Sequence, residues 1–89
     1  MNFSTVQEYL LFLKSKGFHL KEDVQGFIFY GQNLTNSSVD IVILAIESTL
    51  KAQKSFDGSL FVSILEALAE NNIQSTKEAK QFLKSKLNI

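Results

Sequence analysis

The chain has 89 residues, of which 45% are hydrophobic, and its nine lysines are balanced by nine acidic residues. This length predicts a single helical domain over residues 1–89, and the hydrophobic fraction excludes a disordered chain. The absence of Cys excludes disulfides and thiolate metal sites. The absence of Arg disfavours a sequence-specific nucleic-acid reader, because Arg supplies the bidentate donor fork.

The N-terminal residues and the apolar runs give an expectation about the cell compartment. The first residues lack the basic and apolar regions of a secretory signal peptide. The longest unbroken apolar run, residues 41–46, is far shorter than the roughly 20 residues that cross a bilayer. We therefore expect a cytoplasmic protein with no membrane segment.

Helix start signals divide the chain into about five short amphipathic segments. Two of these signals are capping boxes, Thr5 with Glu8 and Ser75 with Glu78. Two further helices are expected to open at Ser37 or Ser38 and at Asp57 or Ser59. The signals predict an all-α fold, a compact bundle of four to five short helices around a central third helix.

Apolar periodicity predicts the extent of the helices. The first, third and fourth are expected over about residues 4–16, 39–54 and 59–70, and the fifth begins after residue 75. The glycine after the first helix, Gly17, is placed for a left-handed C-terminal cap, with the next residue packing back over the last turn.

Each predicted helix has an apolar face that should point inward. The fifth helix has a narrow face, Leu11 and Phe12 widen the face of the first, and the third also has apolar flanks, which suits a helix surrounded by the others. The inward residues are Val6, Tyr9, Leu10 and Leu13; Val39, Val42, Ile43, Ile46 and Leu50, with Ile41, Leu44 and Ala45 on the flanks; Phe61, Ile64, Leu65 and Leu68; and Ala79, Phe82, Leu83 and Leu87.

The segment of residues 20–33 is ambiguous between helix and strand. Val24, Phe27, Ile28 and Gly31 keep helical spacing, whereas residues 26–31 form an aromatic, β-prone run between two glycines. We favour a helix, because a single short strand would have nothing to pair with. The alternative is an α+β fold with a strand at 26–31. Residues 32–38 are predicted to form a polar loop.

The aromatic side chains of the second segment are the best candidates for a binding surface. Successive helical residues lie about 100° apart, so Phe27, Phe29 and Tyr30 cannot all enter one core. Exposed aromatic clusters are typical of protein-binding sites. We predict a protein interface at these three residues, supported by Leu11 and Phe12 on the outer face of the first helix.

The C-terminal segment gives a second hypothesis. Residues 75–89 carry four lysines against one glutamate, a net charge of +3. A basic terminal helix of this kind could contact an acidic protein or nucleic acid. The candidate contacts are Lys77, Lys80, Lys84 and Lys86. Because the chain has no Arg, we consider nucleic acid a less favoured partner than an acidic protein.

Residues capable of catalysis are few. His19 is the single histidine, and it precedes Glu22 and Asp23, but no nucleophile motif, phosphate loop or dinucleotide fingerprint accompanies it. A metal site needs at least three ligands in suitable geometry, and no such set recurs nearby. We predict no catalytic residue, no metal and no cofactor.

Three short stretches carry a resemblance. They are Lys-Gly-Phe-His at 16–19, Gly-Phe-Ile-Phe-Tyr-Gly at 26–31 and Phe-Asp-Gly-Ser-Leu at 56–60. With them the chain resembles short uncharacterised bacterial proteins of low-GC type. The resemblance implies no activity, cofactor or site residue.

Together these features predict a non-enzymatic interaction or regulatory module. The excess of apolar side chains over what five short helices can bury favours a homodimer or a subunit of another protein's complex. The alternative is a nucleic-acid accessory protein that uses the basic C-terminal helix. If the interface hypothesis holds, Phe29→Asp with Tyr30→Asp should abolish association and leave the domain folded.

Overall fold

A computed structural model describes residues 3–87, with side chains given for residues 3–86. These residues form an all-α bundle, as predicted, and no strand occurs among them. The five helices are α1 (Val6–Ser15), α2 (Glu22–Thr35), α3 (Val39–Gln53), α4 (Gly58–Glu70) and α5 (Thr76–Leu87).

The predicted capping box at the start of α1 is complete, whereas at α5 only the cap by the Ser75 hydroxyl is formed. The Thr5 hydroxyl accepts a hydrogen bond from the Glu8 amide at 3.1 Å, and the Glu8 carboxylate accepts one from the Thr5 amide at 3.2 Å. At α5 the Glu78 amide donates to the Ser75 hydroxyl at 3.2 Å. That hydroxyl in turn donates to the Glu78 carboxylate at 3.1 Å, so the return bond uses the side chain of Ser75.

The two alternatives left open at the starts of α3 and α4 are decided by side-chain hydrogen bonds. Ser38 caps α3, where its hydroxyl accepts from the Ile41 amide at 3.3 Å. Asp57 caps α4, where its carboxylate accepts from the Leu60 amide at 3.2 Å. Both side chains satisfy amides that have no partner within their own helix.

Gly17 and Asn72 are left-handed residues that close α1 and α4 in the same way. Gly17 follows α1 with a φ of 92°, and the Phe18 amide donates to the Leu13 carbonyl at 2.9 Å. The predicted cap is therefore present, although the Phe18 side chain itself remains exposed. At the end of α4, Asn72 adopts a φ of 55°, and the Ile73 amide donates to the Leu68 carbonyl.

The alternative of a strand at 26–31 is wrong, because this whole run lies within α2. The predicted polar loop is also too long, since residues 32–35 continue the helix. Thr35 stays helical while its hydroxyl donates to the Gly31 carbonyl at 2.8 Å. The helix ends at Asn36, which takes the left-handed conformation with a φ of 53°.

The core is organised around α3, which packs against α1, α4 and α5, while α2 packs chiefly against α4. The buried side of α3 is rotated from the predicted face. Ile41 and Leu44, predicted on the flanks, are buried, whereas Ile43 and Leu50 are only half-buried. The rotation follows from the need to contact helices on several sides.

The apolar faces of α1, α4 and α5 match the predictions where side chains are described. All four predicted residues of α1 and all four of α4 are buried. In α5, Ala79 and Leu83 are buried and Phe82 is half-buried, while the side chain of Leu87 lies outside the described part.

Candidate interaction surface

The outer side of α2 carries an unusual amount of exposed apolar surface. Phe27, Phe29 and Tyr30 are 43%, 36% and 60% exposed, and Leu34 is 53% exposed. The buried side of the helix, formed by Ile28 and Gly31, lies between Phe27 and Phe29 around the helix axis. Apolar side chains therefore extend past both edges of the buried side, where the rest of the fold leaves them exposed.

Three of these residues form one continuous line along the helix. Phe27, Tyr30 and Leu34 are spaced at i, i+3 and i+7, which puts them within an arc of about 60°. The rings of Phe27 and Tyr30 meet edge to face, with their centroids 6.3 Å apart. We call these three residues the α2 stripe.

Phe27 also contributes to the packing of the fold. A Cβ atom placed on Gly58 would lie 3.2 Å from two atoms of the Phe27 ring, so this ring rests against the first turn of α4. Tyr30 and Leu34 are the members of the stripe with the larger exposed fractions. They are therefore the better residues for testing a surface role.

Phe29 lies apart from the stripe. It is about 100° around the helix from Tyr30 and about 160° from Phe27. The exposed residues Gly26 and Asn33 lie between Phe29 and Tyr30 on this outer face. The predicted aromatic set is thus spread over two edges of one helix.

Leu11 and Phe12 lie on α1, which packs against α3, whereas α2 packs chiefly against α4. Leu11 is 61% exposed on the outer face of α1. Phe12 is half-buried, with its ring centroid 5.4 Å from that of Phe3 and 6.3 Å from that of Tyr9. These contacts do not bring the two residues beside the aromatic residues of α2.

Leu34 was not among the residues predicted from the sequence, because it fell in the expected polar loop. Two signals could have identified it. Its spacing from Phe27 and Tyr30 continues the helical period, and residues 24–39 contain no charged side chain although charged residues make up 20% of the chain. Depletion of charge is typical of the centre of protein interfaces.

The four lysines of the C-terminal segment do not share one face. Lys77, Lys80 and Lys84 follow one edge of α5 at i, i+3 and i+7. Lys86 lies about 160° from Lys84, and its ammonium nitrogen is 5.9 Å from the centroid of the Phe82 ring. All four are exposed, so α5 presents a basic edge of three lysines.

The groups considered for catalysis are at the surface. His19, Glu22 and Asp23 are exposed, with His19 between α1 and α2 and the two acids in the first turn of α2. Acidic residues in the first turn of a helix are stabilised by the positive end of the helix dipole. Within residues 3–87, no group of three or more His, Asp or Glu side chains is arranged to hold a metal ion.

The Tyr9 phenol is buried and bonded to an acidic side chain. Burial raises the pKa of its phenol well above the ordinary value, and the negative charge and hydrogen bonding of Glu47 raise it further. The phenol donates to the Glu47 carboxylate at 3.3 Å. Because this group holds its proton tightly, it acts as a donor that ties α1 to α3.

None of the helices between residues 3 and 87 has the combination of length and apolar character that crossing a bilayer requires.

Comparison with other proteins places the chain in a family. A search of curated proteins found no match, and a search of solved structures found none either. A family model matches residues 1–89, and it describes a family of unknown function. The expected likeness to uncharacterised proteins is thereby confirmed, while the low-GC bacterial origin stays a prediction. The chain belongs to the family of unknown function DUF6123.

Proposed function

We propose that the protein is a non-enzymatic interaction module that binds a protein through the α2 stripe. The partner is a second copy of the chain or another protein, and the cytoplasm is the proposed setting. The observation that supports this most strongly is the exposure of Tyr30 and Leu34, 60% and 53%, on a helix whose outer face lacks charge beyond its first turn.

The energy available from the stripe sets a requirement on the interface. Burying the exposed half of a large apolar side chain contributes about 1 to 1.5 kcal/mol, so the three residues together supply roughly 3 to 4 kcal/mol. A micromolar complex needs roughly 8 kcal/mol. The partner must therefore cover neighbouring surface as well, and Phe29 with Asn33 on the outer face of α2 is the nearest such surface.

Sedimentation velocity of the purified chain tests self-association. The variant Tyr30→Asp with Leu34→Asp places charges on two exposed positions, so we expect it to remain folded and to lose association. Thermal unfolding of the variant, measured beside the wild type, checks that the fold is kept. The variant Leu11→Asp is the matched control, because it adds a charge to an equally exposed leucine on α1.

Two results would contradict an interface at Tyr30 and Leu34. If the double variant unfolds at a much lower temperature than the wild type, Tyr30 and Leu34 serve the fold and the proposal loses its support. If the wild type associates and the double variant associates equally well, the interface lies elsewhere.

The basic edge of α5 supports a second candidate, a contact with nucleic acid or an acidic protein. Lys77, Lys80 and Lys84 lie on one edge and are exposed. If each lysine neutralises one phosphate of duplex DNA, the slope of log affinity against log salt is about −3. Absence of binding to DNA and RNA at low salt would rule out the nucleic-acid form of this candidate.

A further inference from the structure

The two C-terminal helices leave a groove between them on the surface of the bundle. α4 packs against α2 and α3, and α5 packs chiefly against α3, so α4 and α5 have little direct contact with one another. The groove has a volume of about 370 Å³, which is within the range of sites that hold small ligands or a few side chains. Its lining includes Leu60, Ser63, Ala67, Asn71, Phe82 and Lys86.

The chemistry of the groove is apolar with one positive charge. Ser63 and Ala67 are small residues one helical turn apart, and Leu60 and Phe82 are half-buried beside them. Among the described residues that line the groove, Lys86 alone is charged. Its ammonium group lies near the Phe82 ring, so the cation is held over an apolar wall.

The α2 stripe together with Asp23 matches this groove in length, apolar character and charge. Asp23 precedes Phe27 by one turn and lies in line with the stripe, so the line from Asp23 to Leu34 spans eleven positions, about 16 Å. The groove runs along α4 from Leu60 to Asn71, also eleven positions and about 16 Å. An apolar helix edge in an apolar groove is a common mode of protein recognition.

We infer that the α4–α5 groove receives the α2 stripe of a second copy of this chain, with Asp23 of one copy facing Lys86 of the other. The two matching surfaces belong to the same chain, and their single opposite charges complement each other. This inference rests on the proposed function, because it uses the same stripe and names the partner and the surface that binds it.

The positions of the two surfaces determine the form of the assembly. α4 presents Gly58, Phe61 and Leu65 towards α2, whereas Ser63 and Ala67 line the groove on the side of α4 that lies about 160° away. A stripe therefore cannot enter the groove of its own copy. The contact joins two different surfaces, so copies assemble either as a two-fold dimer with two reciprocal contacts or head to tail into a larger ring or an open chain.

A mixing experiment with two variants tests this arrangement. The stripe variant is Tyr30→Asp with Leu34→Asp, and the groove variant is Ser63→Glu, which changes an exposed residue. Ser63→Glu should weaken self-association by about tenfold or more, because it would bury an unpaired carboxylate against the incoming stripe. Sedimentation velocity measures each variant alone and the equimolar mixture, after circular dichroism shows that both are folded.

We expect wild-type chains to form dimers or larger assemblies as concentration rises, each variant alone to stay monomeric, and the mixture to form heterodimers only. Charge reversal gives a second readout, since Lys86→Glu should weaken the contact and Asp23→Lys should restore it.

If the groove variant associates as strongly as the wild type, or the mixture stays monomeric, the groove assignment is wrong, while a stripe-dependent contact still supports the proposed function. A wild type that stays monomeric overturns the second copy as occupant, and binding of another protein then tests the proposed function separately.

Discussion

Gly31 of α2 lies against the aromatic ring of Phe61 of α4. A Cβ atom on Gly31 would be 3.0 Å from the Phe61 Cε2 atom and 3.2 Å from the Leu65 Cδ1 atom. Phe61 and Leu65 are fully buried, so neither can move aside without disturbing the core. Glycine at this position allows α2 to approach α4 closely, and it fixes which side of α2 remains outside.

Two glycine substitutions in α2 test this close approach. Gly31→Ala forces an additional methyl group into the core, which typically costs about 1 to 3 kcal/mol. Gly26→Ala is the matched control, because nothing lies within 4 Å of its Cβ position. In both variants the higher helix propensity of Ala stabilises the fold by about 1 kcal/mol.

Urea unfolding of the two variants measures the difference directly. Since the propensity gain is common to both, we expect Gly31→Ala to be less stable than Gly26→Ala by about 1 to 3 kcal/mol. Equal stability of the two variants would contradict the contact between Gly31 and Phe61.

Phe27 and Tyr30 should differ in their effect on stability although both are exposed. Phe27 rests against Gly58, so Phe27→Ala should lower the free energy of unfolding by about 1 to 2 kcal/mol, part of the cost at a fully buried site. Tyr30→Ala should change it by less than about 0.5 kcal/mol. Thermal unfolding at low protein concentration, where association does not contribute, provides the comparison.

The cap of α4 can be tested with a pair of neighbouring residues. Asp57→Ala removes the carboxylate that accepts from the Leu60 amide and should cost about 1 kcal/mol. Ser59→Ala changes an exposed residue in the first turn of the helix and should alter stability by no more than about 0.5 kcal/mol. A larger loss from Ser59→Ala than from Asp57→Ala would show that the helix starts elsewhere.

The hydrogen bond between Tyr9 and Glu47 predicts a dependence of stability on high pH. Burial and the Glu47 carboxylate raise the pKa of Tyr9 above the ordinary value of 10.0, so the folded chain holds this proton more tightly than the unfolded chain. The protonated phenol therefore contributes fully to the free energy of unfolding below about pH 10, and this contribution is lost as the pH rises further.

Tyr9→Phe removes this titration. The free energy of unfolding of the wild type should exceed that of Tyr9→Phe by about 0.5 to 1.5 kcal/mol at neutral pH. This difference should narrow above about pH 10. Chemical unfolding of both proteins across this range is the measurement, and lysine titration cancels in the comparison. A difference that stays constant with pH would contradict the burial of the Tyr9 phenol.

Helix boundaries were predictable where a capping side chain marks them. Thr5 begins a capping box, Ser75 caps α5 through its hydroxyl, and Gly17 takes the left-handed conformation that closes α1. The end of α2 was not predictable in this way. Thr35 is a poor helix former, and it is kept helical by its bond to the Gly31 carbonyl and by the packing of α2 on α4.

The candidate site was predictable only in part. An excess of aromatic residues on α2 follows from their spacing, and Phe27, Phe29 and Tyr30 are indeed exposed. Which of them lie together depends on the side of α2 that meets α4, and the close approach at Gly31 decides that. Leu34 was missed for the same reason, since its role requires the extra turn of helix.

The most direct test of the interaction hypothesis is affinity capture from the protein's own cells with three tagged baits, read by mass spectrometry after nuclease treatment. The baits are the wild type, Tyr30→Asp with Leu34→Asp, and the control Leu11→Asp. We predict that the wild type and the control retain one defined protein, either the untagged chain or another protein, and that the double variant loses it. Equal retention by all three baits, or partners that disappear with nuclease, would contradict an interface at the α2 stripe.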